Sequence, residues 1–218
     1  MTSAILKETP FVGPRPFTED EAGVFFGRST ELASLVAEVL STQIVLLFAP
    51  SGSGKSSLIN AGLIPALRNE GFEVSQVRAN TTTASEDATT GERLRDAVAL
   101  RESIEGPSLL VLDQFEEALV ALPRAELSSL ADVMHDITSR YPLARILIAF
   151  REEYLARIGA MFNRGTGARV GHYHLDRLSQ RGALEAFTRL MDAGGLAVEP
   201  DAADVFLDRI APARGLTS

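Results

Sequence analysis

The stretch from Ser51 to Ser57 has the residue types needed to bind a polyphosphate. Its two glycines allow successive backbone N–H groups to turn inward around phosphate oxygens. Lys55 is a mobile positive charge that can reach β and γ oxygens, and the hydroxyl of Ser56 can complete the coordination of Mg²⁺. The pattern therefore predicts a site for a nucleoside triphosphate. The candidate phosphate-binding residues are Ser51, Gly52, Ser53, Gly54, Lys55, Ser56 and, as a weaker candidate, Ser57.

The loop follows an unbroken apolar run, Ile44–Ala49, and is followed by an apolar helical pattern. A continuous aliphatic run is typical of a parallel strand that is buried on both faces. Ala49 stands where the phosphate-loop pattern G-x-x-x-x-G-K-[ST] has its first glycine, which leaves the phosphate-contacting part unchanged. The alternative interpretation is a glycine-rich turn in which Gly-Lys-Ser occurs by chance.

A second apolar run, Leu109–Leu112, ends in the acidic sequence Asp113-Gln114-Phe115-Glu116-Glu117. Ligands of open parallel sheets lie beyond the carboxyl ends of the strands, so Asp113 is expected to face the same crevice as the loop. There it can hold Mg²⁺ directly or through water, while Glu116 or Glu117 orients or deprotonates an attacking water. The alternative is that these carboxylates only cap a helix.

The strand predicted at Ile146–Phe150 ends at Arg151, which can contact a γ-phosphate if its strand neighbours the phosphate-loop strand. The alternative is an ion pair of Arg151 with Glu152 or Glu153. His172 and His174 share one face of a predicted edge strand, but a metal site would need a third ligand, so we expect ordinary packing or exposure.

Composition excludes several classes of protein. The 218 residues are 45% hydrophobic, contain no cysteine and carry a formal net charge of −8. Disulfides and thiolate metal sites are therefore excluded, and nonspecific binding to nucleic acid is disfavoured. No apolar run approaches the roughly 20 residues that span a bilayer, so we expect a cytoplasmic protein.

Periodicity predicts alternating helices and strands, as in an α/β fold with a parallel sheet. Pro65 is expected to terminate or kink the helix that begins near Lys55. The remaining expectations are a helix after Ser29, a strand at Phe72–Val77, a surface loop at Asn80–Gly91, and helices at Glu92–Ile104, around Leu127–Ile137 and around Tyr154–Ile158. They continue with a Gly/Arg loop at Asn163–Gly171, an edge strand at Val170–Leu175, a helix opening at Ser179 and another near Pro200.

In the order of its motifs, the chain resembles a STAND NTPase, specifically the group called novel STAND NTPase 1. The DQFEE sequence at Asp113–Glu117 is a more specific motif than the phosphate loop. The others are Pro14–Phe17, Phe25–Arg28, Ala49–Ser57 and Ile146–Leu155.

The resemblance implies an AAA/NACHT-like P-loop NTPase fold with about five parallel strands, flanked by helices. Residues 1–175 would be the NTPase core, with 1–42 its leading segment and adenine-side helix, and 176–218 the start of a small helical lid. Phe26, Gly27 and Arg28 become candidates for binding adenine, although core packing is an alternative for Phe25 and Phe26. Family roles place Mg²⁺ at Ser56 and Asp113 and make Arg151 a sensor of the γ-phosphate.

The function implied is Mg²⁺-dependent binding and slow hydrolysis of ATP in a conformational switch used in signalling or defence, with self-association that depends on the nucleotide. STAND proteins usually continue into an arm and an effector region, whereas this sequence ends inside the expected lid. The alternative is a non-catalytic, nucleotide-dependent interaction module, because Gln114 replaces the acidic residue that many ATPases carry beside the metal-binding Asp. A nucleic-acid motor or a small-molecule kinase fits the acidic, short chain poorly.

Overall fold

The computed structural model describes residues 12–78, 106–162 and 169–196, together with Asp96 and Val205. A 3-10 turn at Glu19–Val24 precedes helix α1, Ser29–Ser41, and strand β1, Ile44–Ala49. The later strands are β2 at Glu73–Arg78, β3 at Ser108–Asp113, β4 at Ala144–Arg151 and β5 at Val170–His174. The later helices are α2 from Lys55 to Asn69, α3 at Glu116–Ala121, α4 at Arg124–Arg140, α5 at Leu155–Phe162 and α6 at Gln180–Ala193.

The five strands form one parallel sheet in the order β2-β3-β4-β1-β5. This confirms the predicted α/β class with a parallel sheet. The register pairs Ala49 with Arg151 and Arg78 with Asp113, so the carboxyl ends of four strands meet at one edge. That edge is where a parallel sheet places its ligand.

Two cores cover the two faces of the sheet, because side chains alternate along each strand. On one face Ile44, Leu110 and Ile146 pack with helices α3, α4 and α5. On the other face Val45, Leu109 and Leu147 pack with helices α1 and α2. Strands β1, β3 and β4 are almost wholly buried, as their continuous apolar sequences predicted.

Helix α2 does not end at Pro65, so the first of the two outcomes expected there, termination or a kink, is wrong. It is α-helical at Lys55–Ser57, π-helical at Leu58–Leu63 and again α-helical at Ile64–Asn69, so the chain stays helical beyond the proline. A proline ring clashes with the carbonyl four residues earlier in a regular α-helix. The π-helical stretch, with its wider turn, lies immediately before Pro65 and relieves that clash.

Most other element predictions are confirmed to within one or two residues. Strand β2 begins one residue later than expected, and β5 ends one residue earlier. Val170 and Gly171 belong to β5, so the loop expected at Asn163–Gly171 ends before them. Its residues 163–168 lie outside the described residues. So do the loop at Asn80–Gly91 and the helices expected at Glu92–Ile104 and near Pro200, apart from helical Asp96 and Val205.

Candidate functional site

A cleft of about 300 Å³ opens at the carboxyl edge of the sheet. The phosphate loop, the end of β3, the end of β4 and the N-terminal segment all line it. The structure thus brings together residues that lie up to 137 positions apart in the chain. The lining residues are Pro14, Arg15, Pro16, Ser51 to Ser57, Asp113, Gln114, Glu116 and Arg151.

The loop takes the backbone shape that its glycines permit. Gly52 and Gly54 have φ angles of 75° and 93°, in the left-handed region that residues with a side chain avoid. The amino group of Lys55 donates to the carbonyl oxygens of Ala49 at 3.1 Å and Pro50 at 3.5 Å. Burial lowers the pKa of Lys55, while Glu116 and Asp113 oppose that shift. Lys55 is thus a cation held inside the loop, close to two carboxylates.

A buried arginine, Arg28, donates a hydrogen bond to the phosphate loop. Arg28 is only 6% exposed, and its Nη2 donates to the carbonyl oxygen of Ser53 at 2.8 Å. Its Nη1 donates to the Glu31 carboxylate at 2.8 Å. The sequence placed Arg28 among the adenine-binding candidates, whereas here its guanidinium supports the phosphate loop. The hydroxyl of Ser53 is buried without a hydrogen-bond partner.

Asp113 ends β3 beside the first turn of α2 and is 2% exposed. Burial raises the pKa of this carboxyl, and the neighbouring Ser56 hydroxyl is the largest opposing effect, followed by Arg78. Oδ1 accepts from the backbone N–H of Gln114 at 3.0 Å. Oδ2 has no hydrogen-bond partner, and the Nε atom of Arg78 lies 3.7 Å from it. A buried carboxylate oxygen without a donor is stabilised by a cation.

The donors around Asp113 fit Mg²⁺, which prefers hard oxygen ligands. Ser56 and Asp113 would hold it, and water and phosphate oxygens would complete its shell. Among the described residues, no three acidic or histidine side chains are close enough to hold a metal by themselves. The next residue, Gln114, has a φ of 59°, a strained backbone conformation for a side chain of its size.

The two glutamates that follow occupy different environments. Glu116 lines the cleft, is 8% exposed, and has one carboxylate oxygen, Oε2, buried without a partner. Its Oε1 lies 3.3 Å from the Nε atom of Arg151. Glu117 is exposed on the next position of α3 and does not line the cleft. Arg151 thus pairs with Glu116, not with Glu152 or Glu153.

The segment before α1 packs on helix α6. Gly27 has a φ of 80°, and a Cβ atom at this position would overlap the carbonyl oxygen of Gly182. A Cβ on Gly182 would lie 2.6 Å from the carbonyl oxygen of Gly27. The guanidinium carbon of Arg189 sits 4.1 Å from the centre of the Phe26 ring, a cation–π contact. These contacts connect α6, through Gly27 and Arg28, to the loop.

Three functional features escaped the sequence analysis. Ser57 was a candidate for phosphate, but its hydroxyl accepts the backbone N–H of Phe17 at 3.2 Å. Arg15 lines the cleft, whereas the sequence analysis gave Pro14–Phe17 as a family motif without assigning Arg15 a role. Arg78 faces Asp113 because the two end neighbouring strands in register, which sequence alone does not specify.

His172 and His174 are both exposed on β5. The His174 ring packs against Phe48 with centroids 5.2 Å apart, and its Nε2 atom lies 3.0 Å from a Glu152 oxygen. Within the described part of the chain, no helix has the length and apolar character needed to cross a membrane.

Several solved structures share this fold. A Walker-type ATPase of Pyrococcus abyssi aligns with a TM-score of 0.62 and 15% identity over 90% of this chain and 65% of its own. One chain of the E. coli MS115-1 HORMA–CdnC–Trip13 complex aligns with a TM-score of 0.58 and 13% identity over 94% of this chain and 80% of its own. The Aeropyrum pernix ORC2 protein, in ADPNP and ADP complexes, aligns with a TM-score of 0.51 and 17% identity over 76% of this chain and 51% of its own.

This chain spans less than two thirds of the Pyrococcus ATPase, and identities this low show a common fold only. No curated protein sequence matches the chain. The model of one protein family, described as Novel STAND NTPase 1, matches residues 10–216, nearly the full length. With the phosphate loop and the acidic strand end assembled in one cleft, the chain belongs to the novel STAND NTPase 1 family.

Proposed function

We propose that the cleft binds ATP with Mg²⁺ and hydrolyses it slowly, so that the nucleotide sets the conformation of a signalling module in the cytoplasm. The observation that carries the proposal is that Asp113 and Glu116 each bury one carboxylate oxygen without a hydrogen-bond donor, in the same cleft as the phosphate loop. Arg78 approaches Asp113 and Arg151 approaches Glu116, and Mg²⁺ with a nucleotide would supply partners for the buried oxygens that still lack a donor.

Phosphate binding would use the loop as it stands. The N–H groups of residues 51–57 would contact phosphate oxygens, and Lys55 would exchange its bonds with Ala49 and Pro50 for bonds to β and γ oxygens. Mg²⁺ held by Ser56 and Asp113 would offset the charge that develops on the phosphates.

Glu116 is the better candidate for orienting and deprotonating the attacking water. Its position in the cleft, its burial and its free Oε2 atom all favour it over exposed Glu117. Arg151 holds the other oxygen of Glu116. A γ-phosphate would compete with Glu116 for that guanidinium, so Arg151 can report whether the γ-phosphate is present.

The test compares the same substitution at two adjacent positions of α3. Glu116→Gln should retain ATP binding and lower phosphate release by about 100-fold or more, since general-base catalysis contributes on that order. Glu117→Gln, on the exposed face of α3, is the matched control and should release phosphate at nearly the wild-type rate. Equal loss in both variants, or loss in Glu117→Gln alone, would contradict the assignment of Glu116.

Adenine is the base that the family favours, and Phe26 and Gly27 remain our candidates for contacting it. Arg28 is better described as a support of the loop, since both ends of its guanidinium are already bonded. A GTP titration against fluorescently labelled ATP would check base choice. Equal competition by GTP and ATP would reject an adenine-specific site.

The switch would act through helix α6, which touches both Phe26 and Gly27. Only a triphosphate can engage Lys55, Arg151 and the metal together, so ATP and ADP would stabilise different arrangements. Nucleotide-dependent self-association, and partners or effector regions beyond this sequence, are proposals taken from the family.

A second candidate function is a nucleotide-dependent interaction module that does not hydrolyse ATP efficiently. The strained backbone of Gln114 and the pairing of Glu116 with Arg151 favour it, because both restrain the groups that would act on water. Phosphate release measured with and without Mg²⁺ separates the two functions. Binding without release supports the second candidate.

A further inference from the structure

The cleft contains an arginine, within the Pro14–Phe17 motif, to which none of the proposed roles is assigned. Arg15 lines the same cavity as Lys55 and Arg151 but comes from the N-terminal segment. Pro14 and Pro16 flank it, so the φ angles on both sides are restricted and the Arg15 backbone is biased to an extended shape. Its position is therefore set before any ligand binds.

The segment that carries Arg15 is fastened to helix α2, which begins in the phosphate loop. The backbone N–H of Phe17 donates to the Ser57 hydroxyl at 3.2 Å. Its carbonyl oxygen accepts from the Asn60 side chain at 3.0 Å, and Asn60 accepts in turn from Gln76 at 3.0 Å. Both backbone groups of Phe17 are thus held, two residues from Arg15, by residues that lie one turn apart on α2.

A carboxylate holds the guanidinium in place. Nη1 and Nη2 of Arg15 lie 2.7 and 2.5 Å from the two oxygens of Glu21, a bidentate pair. The bonds from Arg15, followed by the backbone N–H of Thr18, lower the pKa of Glu21 to about 2. The Arg15 side chain remains 42% exposed, so it stays accessible to a ligand in the cleft. Two of its five N–H donors are enough for the bidentate pair.

We propose that Arg15 is a further nucleotide-binding residue, which contacts the α- or β-phosphate, and that Glu21 is its positioning residue. The anchor on Ser57 and Asn60 places Arg15 on the helix side of the loop. The groups suited to the γ-phosphate, Glu116 and Arg151, come instead from the ends of β3 and β4. The inference rests on the proposed ATP site. It adds a phosphate contact that ADP and ATP would both make.

The experiment measures ADP and ATP affinities by isothermal titration for the wild type, Arg15→Ala, Arg15→Lys, Glu21→Gln and Lys55→Ala. Arg15→Ala should weaken both nucleotides by a similar factor, roughly 10- to 100-fold, as expected for loss of a charged hydrogen bond. Arg15→Lys should recover part of this loss. Glu21→Gln should have a smaller effect, because the guanidinium remains. Arg140→Ala, which breaks a surface pair with Asp136 on α4, is the matched control and should change neither affinity.

Unchanged affinities in Arg15→Ala would overturn the inference. So would equal losses in Arg15→Ala and Glu21→Gln together with equal drops in melting temperature, since the pair would then only stabilise the segment. A loss confined to ATP would overturn the assignment to the α- or β-phosphate. If Lys55→Ala also binds normally, the proposed function itself fails, which is a different result from the failure of Arg15 alone.

Discussion

The two sides of the cleft differ in how far their polar groups are satisfied within the chain. On the loop side, Lys55 bonds to backbone carbonyls and Arg28 bonds to Ser53. On the side formed by β3 and α3, Asp113 and Glu116 each bury an oxygen that lacks a hydrogen-bond partner. A buried charge is costly unless it is paired. The comparison shows that the cations of the loop side already have acceptors within the chain, whereas the acidic side keeps two buried oxygens without a donor.

Backbone strain also differs between the loop side and the acidic side of the cleft. The unusual backbone angles of the loop fall on Gly52 and Gly54, which adopt them at little cost. The unusual angle of the acidic side falls on Gln114, a residue with a full side chain, between Asp113 and a buried Phe115. Strained residues of this kind persist where the surrounding structure holds them, often beside functional groups.

The largest expected effect is loss of the loop cation. Lys55→Ala should weaken ATP binding by on the order of 100-fold or more, because it removes charged hydrogen bonds to the phosphates. Isothermal titration with ATP measures the loss, and thermal unfolding of the free protein should change little. ATP affinity equal to that of the wild type would refute a preformed phosphate loop.

The next effect tests whether the loop depends on helix α6. Gly27→Ala should destabilise the protein by about 2–4 kcal/mol, since a Cβ there would overlap Gly182 and the backbone has positive φ. The same change should weaken ATP binding, because Arg28 follows directly and holds Ser53.

Gly195→Ala is the matched control for this prediction. Gly195 also has a positive φ, 69°, but a Cβ there would have nothing within 4 Å. Gly195→Ala should lower the free energy of unfolding by only about 1 kcal/mol, which is the backbone penalty alone. Equal unfolding temperatures for the two variants would show that the contact between Gly27 and Gly182 carries no weight.

The smallest expected effects come from a substitution at Asp113, which should stabilise the nucleotide-free protein but weaken its binding of ATP with Mg²⁺. Asp113→Asn removes a buried charge, so the nucleotide-free protein should gain about 1 kcal/mol of stability. The same variant should lose the benefit of Mg²⁺ in ATP binding, because a carboxylate ligand is gone. Thermal unfolding without ligand, and ATP titrations with and without Mg²⁺, measure the two effects. If the nucleotide-free variant is instead less stable than the wild type, the ion pair with Arg78 already stabilises the buried charge of Asp113.

Local sequence was a good guide where one interaction dominates. The apolar runs at Ile44–Ala49 and Leu109–Leu112 are typical of strands buried inside a parallel sheet, and both strands formed as predicted. Pro65 was the exception, because the sequence does not reveal the π-helical stretch at Leu58–Leu63 that accommodates it.

The site was harder to predict because roles depend on which side chains meet. Glu116 and Glu117 are chemically identical neighbours, and only the rotation of α3 puts one in the cleft and the other in solvent. Arg28 sits in the motif that the family assigns to the base, yet its guanidinium reaches Ser53, 25 positions later.

The sequence by itself determined the parallel α/β fold and the residue types of the phosphate loop, since apolar periodicity and the Gly-Lys-Ser pattern act over a few neighbouring residues. Tertiary structure alone decided the pairing of Glu116 with Arg151, the bond from Arg28 to the loop, and the delivery of Arg15 to the cleft. These contacts join residues far apart in the chain. Strand order and helix packing bring them within hydrogen-bonding distance, and no local pattern encodes that order.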